Sequence, residues 1–305
     1  MESFNRNQKE YTSNENLENE NPFSPEQESF LEKEFEKMEQ DALTADDFLG
    51  KPPYDEKFVN ECNLKVKEYE DIFEKSDKVN SIKSEIDDNY TQSLDYKVIS
   101  KYLEALFYNM LGGKKGWIPN ALVWKTSKFD DYINGIDFVV ETENREFTLG
   151  TDVTFSHSKG LTQKLNKVRS KINLGKLSDL TFYESDNAKE KPMPHVIIAV
   201  ERNKIIQALK LWADGQENLL YDHPLKAKTL LEIEAQLEAF ALYAKAQKRR
   251  YIAASYNDML AQIQRLIIDH EDTIKKYQNV IDNDEAYKTI IKFCNNLKDQ
   301  INKTF

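Results

Sequence analysis

The chain has few cysteines and no long hydrophobic run. Cys62 and Cys294 are the only cysteines among 305 residues and lie far apart, which excludes a disulfide framework and predicts a reducing, cytoplasmic setting. No stretch of about 18 apolar residues occurs, and the first thirty residues lack the basic start and apolar centre of a signal peptide. We therefore expect a soluble intracellular protein without a membrane partner.

Common catalytic motifs are also absent. The sequence contains no glycine-rich phosphate loop, no paired-cysteine motif, no nucleophile elbow and no histidine pair at zinc spacing. The function classes that these motifs mark are therefore disfavoured, and the acidic and basic residues become the main source of functional information.

The net charge of -11 is concentrated at one end of the chain. Residues 1–50 hold 14 acidic and 4 basic side chains, which leaves 39 acidic and 38 basic residues in the remainder. Between Thr151 and Lys176, Asp152 is the one acid among six basic residues, a segment that we call the basic strip: Lys159, Lys164, Lys167, Arg169, Lys171 and Lys176. A local basic surface of this kind favours a nucleic-acid partner despite the acidic total.

Two aspartates lie in what the pattern predicts to be a β-hairpin, in Gly135-Ile136-Asp137 and Thr151-Asp152-Val153-Thr154. Strand alternation predicts that Ile136, Phe138 and Val140 share one face and that Asp137 points to the other. Likewise Asp152 and Thr154 should lie opposite Thr151, Val153 and Phe155. Adjacent strands would then bring both carboxylates to one surface, where hard oxygen ligands suit Mg²⁺ or Mn²⁺.

The hydrophobic periodicity predicts an α/β (α+β) protein, in which a small mixed sheet is flanked by helices. We expect a disordered acidic tail over 1–22, an N-terminal helical arm over 23–94, an α/β core over 95–215 and a helical region over 216–305. The predicted helices begin at Ser24 and near residues 55, 95, 160 and 203, and residues 195–200 form a buried central strand after a loop over 184–192. Three helices or a long hairpin with a tail would complete the chain. The arm should bury Phe30, Leu31, Phe35, Met38, Phe58, Leu64, Val66, Tyr69 and Phe73.

The succession of a helix, two acidic strand positions and a basic helix over residues 95–200 resembles the PD-(D/E)XK nuclease family. The resemblance implies a restriction-endonuclease-like core: a helix, a three-stranded antiparallel meander, a second helix and another strand. It also implies Mg²⁺-dependent phosphodiester hydrolysis, with Asp137 and Asp152 as the strand acids and Glu104 as the helical glutamate that together hold the metal.

The family's lysine, two positions after the second acid, is replaced here by Thr154. Threonine supplies no positive charge, so we expect a lysine of the next helix to take its place. Helical spacing puts Lys164 and Lys171 at the border of the buried stripe, and Lys164 is the first choice. Lys159, Lys167, Arg169 and Lys171 are the predicted nucleic-acid contacts, with DNA favoured over RNA.

Other roles remain open for the same residues. The hairpin would be a scaffold if the protein were a non-catalytic interaction protein, whose long terminal helices bind a protein partner or a second copy. A nuclease fold without a working lysine would bind nucleic acid and not cut it. Glu104 also fits a solvated helix position, and Ser156, His157 and Ser158 fit a helix cap. His195, Trp117, Trp124 and Trp212 fit structural positions.

Overall fold

The computed structural model describes the backbone of residues 22–51, 54–84, 91–142, 147–155, 158–183 and 191–304. The predicted tail over 1–22 lies outside these residues except for its last position. The predicted mixed α+β class is confirmed, because helices surround a four-stranded mixed sheet and a smaller two-stranded sheet.

The described strands all lie between residues 121 and 200, with helices before, between and after them. The helices are α1 (Pro25–Gln40), α2 (Glu56–Ser84), α3 (Thr91–Leu111), α4 (Ser158–Asn173), α5 (Arg202–Ala213), α6 (Glu217–Leu220), α7 (Pro224–Ala246), α8 (Arg250–Asp269), α9 (Glu271–Asp282) and α10 (Glu285–Thr304). The strands are β1 (Ala121–Lys125), β2 (Phe138–Thr142), β3 (Thr148–Phe155), β4 (Ser178–Leu180), β5 (Lys191–Met193) and β6 (His195–Val200).

The main sheet has the order β1-β2-β3-β6. Strands β1, β2 and β3 form an antiparallel meander, and β6 lies parallel to β3 with Asp152 opposite Ile197. The predicted hairpin is therefore confirmed, although its connection over 143–146 lies outside the described residues. Along the chain the order is α3, β1, β2, β3, α4 and β6.

Strand β6 lies at the edge of the sheet, so its predicted central position is wrong. Both backbone groups of Ile197 bond to the amide of Gln236, at 2.9 and 2.8 Å. The N–H of Ala199 donates to Glu232 and its carbonyl accepts from Lys228. Side chains of α7 thus replace a neighbouring strand, which explains how a wholly apolar run is buried at an edge.

Helix α1 begins as the sequence predicts. Ser24 caps it, and the side chains of Ser24 and Gln27 form reciprocal bonds with each other's backbone N–H. Leu31 and Met38 are fully buried in the main core, while Phe30 and Phe35 pack at its border. The helix is therefore an integral part of the folded body.

The predicted buried face of α2 is wrong. Phe58, Leu64 and Phe73 are exposed, whereas Val59 and Cys62 are buried. The reason is that α2 packs on a small aromatic cluster instead of the main core, so only a narrow stripe of the helix is covered.

The second face of the sheet carries the small sheet of β4 and β5. Lys191 and Pro192 are the end of the predicted loop over 184–192, yet they belong to β5 and pair with β4. Ile136 joins this side, packing with Val139 and Met193, and not the face of Phe138 and Val140 as predicted. The reason is that Ile136 precedes β2, where the regular alternation has not yet begun.

Between Pro224 and Thr304 the structure describes four helices, α7 to α10, where the sequence predicts three helices or a long hairpin with a tail. Helices α8 and α9 meet at His270. The main hydrophobic core is continuous from α1 to α10 and includes Leu106, Val196 and Leu237. The sheet and the C-terminal helices are thus stabilised by the same buried surface.

Candidate active site

Asp137 and Asp152 line the same cavity, which has a volume of about 850 Å³. Lys164, Lys167 and Lys171 of α4 also line this cavity. The structure therefore brings together the two predicted strand acids and three residues of the basic strip.

The hydrogen bonds of the hairpin explain how the two acids meet. The N–H of Asp137 donates to the carbonyl oxygen of Thr151 at 2.9 Å. Oδ2 of Asp137 accepts from the N–H of Val153 at 2.7 Å, so a side chain takes a position that a strand carbonyl would otherwise fill. The carboxylate of Asp137 is thereby tied to the residue that follows Asp152.

Both carboxylates lie in surroundings that disfavour negative charge. Burial raises the pKa of Asp137 well above its usual value, and the negative charges of Asp131, Asp152 and Glu104 raise it further. Burial also raises the pKa of Asp152, although the ammonium of Lys164 offsets part of this rise. Positive charge supplied to this cavity would stabilise the ionised forms of both groups.

Lys164 is the lysine that meets the acidic pair. Its Nζ lies 2.6 Å from Oδ1 of Asp152. Burial works against the charged ammonium, but Asp152 and Asp137 together outweigh it and raise the pKa of Lys164. Helix α4 packs through a buried stripe that includes Leu161 and Leu165, so Lys164 at the border of that stripe reaches the sheet.

Glu104, the predicted helical ligand, forms an ion pair instead. Oε2 of Glu104 lies 3.1 Å from Nζ of Lys125, which also lies 3.0 Å from Oδ2 of Asp131. Glu104 does not line the cavity, although Asp131 does. Sequence patterns do not indicate this buried lysine, because its partners come from α3 and from the segment before β2.

Lys171 and His195 of the cavity lining are linked by hydrogen bonds through Ser178. Nζ of Lys171 donates to Oγ of Ser178 at 3.3 Å, and this oxygen lies 3.1 Å from Nδ1 of His195. Burial lowers the pKa of His195 to about 3, so the imidazole is neutral at pH 7. Within the described part of the chain, Nε2 of His195 has no hydrogen-bond partner.

The other residues that the sequence singles out, including the predicted nucleic-acid contacts, do not lie together. Lys167 is an exposed cavity residue, whereas Arg169 is half-buried on another side of α4. Thr154 is half-buried and contributes nothing to the cavity lining. The side chains of Lys159 and Ser158, and all of Ser156 and His157, lie outside the described residues.

The tryptophans differ in exposure. Trp117 and Trp212 are fully buried, in agreement with a structural role. Trp124 is exposed and its Nε1 donates to Oε1 of Glu141 at 3.0 Å. None of the three lines the cavity.

Carboxylate oxygens remain available for a cation in the cavity. Its lining carries three carboxyl and three ammonium groups, which balance when all are ionised: Asp131, Asp137 and Asp152 against Lys164, Lys167 and Lys171. In the described ranges, Oδ1 of Asp137 and Oδ2 of Asp152 accept no hydrogen bond from a protein group.

Few protein groups are available as ligands for a metal ion. Among the residues whose positions are described, no group of three His, Cys, Asp or Glu side chains is arranged to hold a metal ion. Mg²⁺ is commonly bound through one or two carboxylates, with water and substrate phosphate completing its coordination. Asp137 and Asp152 are the two carboxylates that would hold Mg²⁺ in such a site, and Glu104 would not be part of it.

Comparison with known proteins finds no relative. No family model matches the chain, and neither the curated proteins nor the solved structures give a significant match.

None of the described helices is both long and apolar enough to cross a membrane.

Proposed function

We propose that this protein is a Mg²⁺-dependent nuclease that hydrolyses phosphodiester bonds, with DNA as its first expected substrate. The observation that carries the proposal is the contact of Lys164 with Asp152 in a cavity that Asp137 also lines. Two carboxylates and an ammonium group in one cavity are the groups that metal-assisted phosphoryl chemistry uses.

The order of elements supports the proposal. Helix α3, the meander of β1, β2 and β3, helix α4 and strand β6 follow one another as the resemblance to PD-(D/E)XK nucleases implies. Lys164 of α4 supplies the positive charge that Thr154 does not. Its position supports the expectation that the lysine is provided by the helix after the second acid.

The residues of the cavity have distinct roles in this proposal. When bound by Asp137 and Asp152, Mg²⁺ would polarise a phosphate oxygen and increase the acidity of a bound water. Lys164 can donate one hydrogen to Asp152 and another to the phosphate, where negative charge grows as water attacks phosphorus. Lys167 and Lys171 would neutralise neighbouring phosphates.

Substitution of Asp152 tests the proposal. We expect Asp152→Asn to reduce Mg²⁺-dependent cleavage of a DNA oligonucleotide by roughly 100-fold or more, a loss typical of removing one transition-state-stabilising group. Cleavage by the purified variant is measured on denaturing gels with Mg²⁺ and with a chelator. Asp258→Asn, an exposed position on α8, is the matched control and should cut like the wild type. Undiminished cleavage by Asp152→Asn would contradict the proposal.

Metal binding has an independent readout. A ligand bound only by the native state raises its stability by about 1.4 kcal/mol at ten times its dissociation constant. Mg²⁺ should therefore raise the melting temperature of the wild type, and Asp137→Asn should remove most of this rise. An equal rise in both proteins would place the cation elsewhere.

Binding without cleavage is the second candidate function. It is favoured by the absence of a three-carboxylate cluster among the described residues and by the threonine at 154. In this case the wild type would bind DNA in a strongly salt-dependent manner, as neutralised phosphates release counterions, and would leave it intact in Mg²⁺ or Mn²⁺.

A further inference from the structure

One side of the cavity is formed by three aromatic residues, Tyr69 and Phe73 of α2 and Tyr132, which we call the aromatic wall. The rings of Tyr69 and Tyr132 are stacked, with centroids 5.5 Å apart and planes 19° apart. Phe73 lies against Tyr69 with centroids 5.1 Å apart. The three rings therefore form a continuous apolar surface at the cavity.

The aromatic wall is accessible. Phe73 is 51% exposed, and Tyr69 and Tyr132 are half-buried. The sequence predicts that Tyr69 and Phe73 are core residues, but α2 makes its core contacts through Val59 and Cys62. A large aromatic side chain left in contact with water gains free energy when another flat apolar group covers it.

The side of the cavity formed by α4 has the opposite character. Gln163, Asn166 and Lys167 are polar or positively charged, and Lys164 and Lys171 lie on the same helix. One ligand that meets both sides would need a flat aromatic part and an anionic part. A nucleotide has these two parts, and the volume of about 850 Å³ is within the range of sites for small organic ligands.

We propose that the cavity receives one nucleotide whose base is not stacked in a duplex, so that the substrate is single-stranded or carries unpaired bases. The base would lie on the aromatic wall, and its phosphate would face the lysines of α4 and the two aspartates. Paired bases expose only their edges in the grooves, whereas an unpaired base can place its face on an aromatic ring. The phosphate end of this inference rests on the proposed nuclease function.

Binding can be separated from cutting by working in the Asp152→Asn background without Mg²⁺. Fluorescence anisotropy with labelled DNA of one sequence, single-stranded or duplex, gives the affinities. We expect the single strand to bind at least 10-fold more tightly than the duplex. Phe73→Ala should weaken single-strand binding roughly 10-fold, since the stacking of one base on the aromatic wall is lost, and should leave duplex binding unchanged.

The matched control is Tyr251→Ala, because Tyr251 is an aromatic residue on α8 that is 69% exposed and does not line the cavity. It should bind like the parent protein. Phe73→Trp should retain the affinity, which shows that an aromatic face at this position suffices. A single strand with abasic sites has no base to stack. Its affinity for the parent protein should therefore be no higher than the affinity of the intact strand for Phe73→Ala.

Equal affinity for single strand and duplex, or equal effects of Phe73→Ala and Tyr251→Ala, would overturn the inference. Failure of the nuclease proposal gives a different result. If the wild type binds single strands through Phe73 but never cuts them, the nuclease proposal fails and the stacking site stands. If the wild type cuts duplex DNA and Phe73→Ala has no effect, the stacking site fails and the nuclease proposal stands.

Discussion

At the scale of the residue, the ionisable groups of the cavity differ in how far the sequence reveals them. The position of Lys164 can be predicted, because the apolar stripe of a helix determines which way the residues beside it point. The buried Lys125 could not, since its partners Glu104 and Asp131 depend on how α3 packs on the sheet. For the same reason the sequence suggests Glu104 as a metal ligand, whereas in the structure it forms an ion pair with Lys125.

His195 gives the folded state a pH dependence. Its native pKa is about 3, while an unfolded histidine has a pKa of about 6.5. As the pH falls below 6.5, the unfolded chain therefore binds a proton that the native chain does not bind. The stability that comes from burying the neutral ring is complete above this value and is lost progressively towards pH 3.

We expect His195→Asn to have a flatter dependence of stability on pH than the wild type. Between pH 4 and 6, the difference in slope should approach about 1.4 kcal/mol per pH unit, the effect of one proton. Urea unfolding at several pH values measures it. Above pH 7.5 the two curves should run parallel, which serves as an internal control. Parallel curves at acidic pH would show that His195 titrates alike in both states.

At the scale of the element, the connection from α3 to β1 depends on glycine. Gly113 lies two residues after Leu111, the last residue of α3, and has a φ of 86°, the left-handed conformation in which glycine commonly ends a helix. A Cβ at Gly116 would lie 2.0 Å from the carbonyl oxygen of Gly112, a distance that the backbone cannot accept. This turn sets where β1, and with it the meander, begins.

Two glycine substitutions should therefore have opposite effects. Gly116→Ala should destabilise the protein by about 1–3 kcal/mol or more, because the backbone of the turn must move. Gly160→Ala should stabilise it by about 0.5–1 kcal/mol, since Gly160 lies exposed in α4 with nothing within 4 Å of a new Cβ. Both changes are measured by urea unfolding. A neutral Gly116→Ala would contradict the close approach of the two backbone segments.

The sequence predicts elements better than it predicts their burial. On α4 the buried residues follow the helical spacing, and Leu161 and Ile172 are almost fully buried. On α2, by contrast, apolar residues such as Leu64 and Phe73 are exposed, because this helix packs on a small cluster. Periodicity identifies a helix, but the extent of its covering partner decides how much of it is buried.

At the scale of the whole molecule, the described elements after residue 216 are all helices, as the sequence predicts. The main hydrophobic core nevertheless continues from the sheet into these helices. The side chains that join α7 to the sheet, Glu232 and Gln236, are polar and four residues apart on a buried face. Polar residues in an otherwise apolar stripe are the sign that could have indicated a bond to a strand edge.

We therefore expect the sheet and the C-terminal helices to unfold together. All three tryptophans lie between residues 117 and 212, so their fluorescence reports on the mixed part, while far-UV circular dichroism reports mainly on the helices. The two signals should give the same midpoint and the same m-value in urea. An earlier loss of helical signal would show that α7 to α10 form a separate unit.

The way α7 covers β6 also bears on self-association. Strand β6 is six residues of uncharged, largely β-branched sequence, the composition from which cross-β aggregates grow. Gln236, Glu232 and Lys228 occupy the backbone positions to which a second chain would add. Partial detachment of α7 is accordingly the step that would expose this protein to fibril formation.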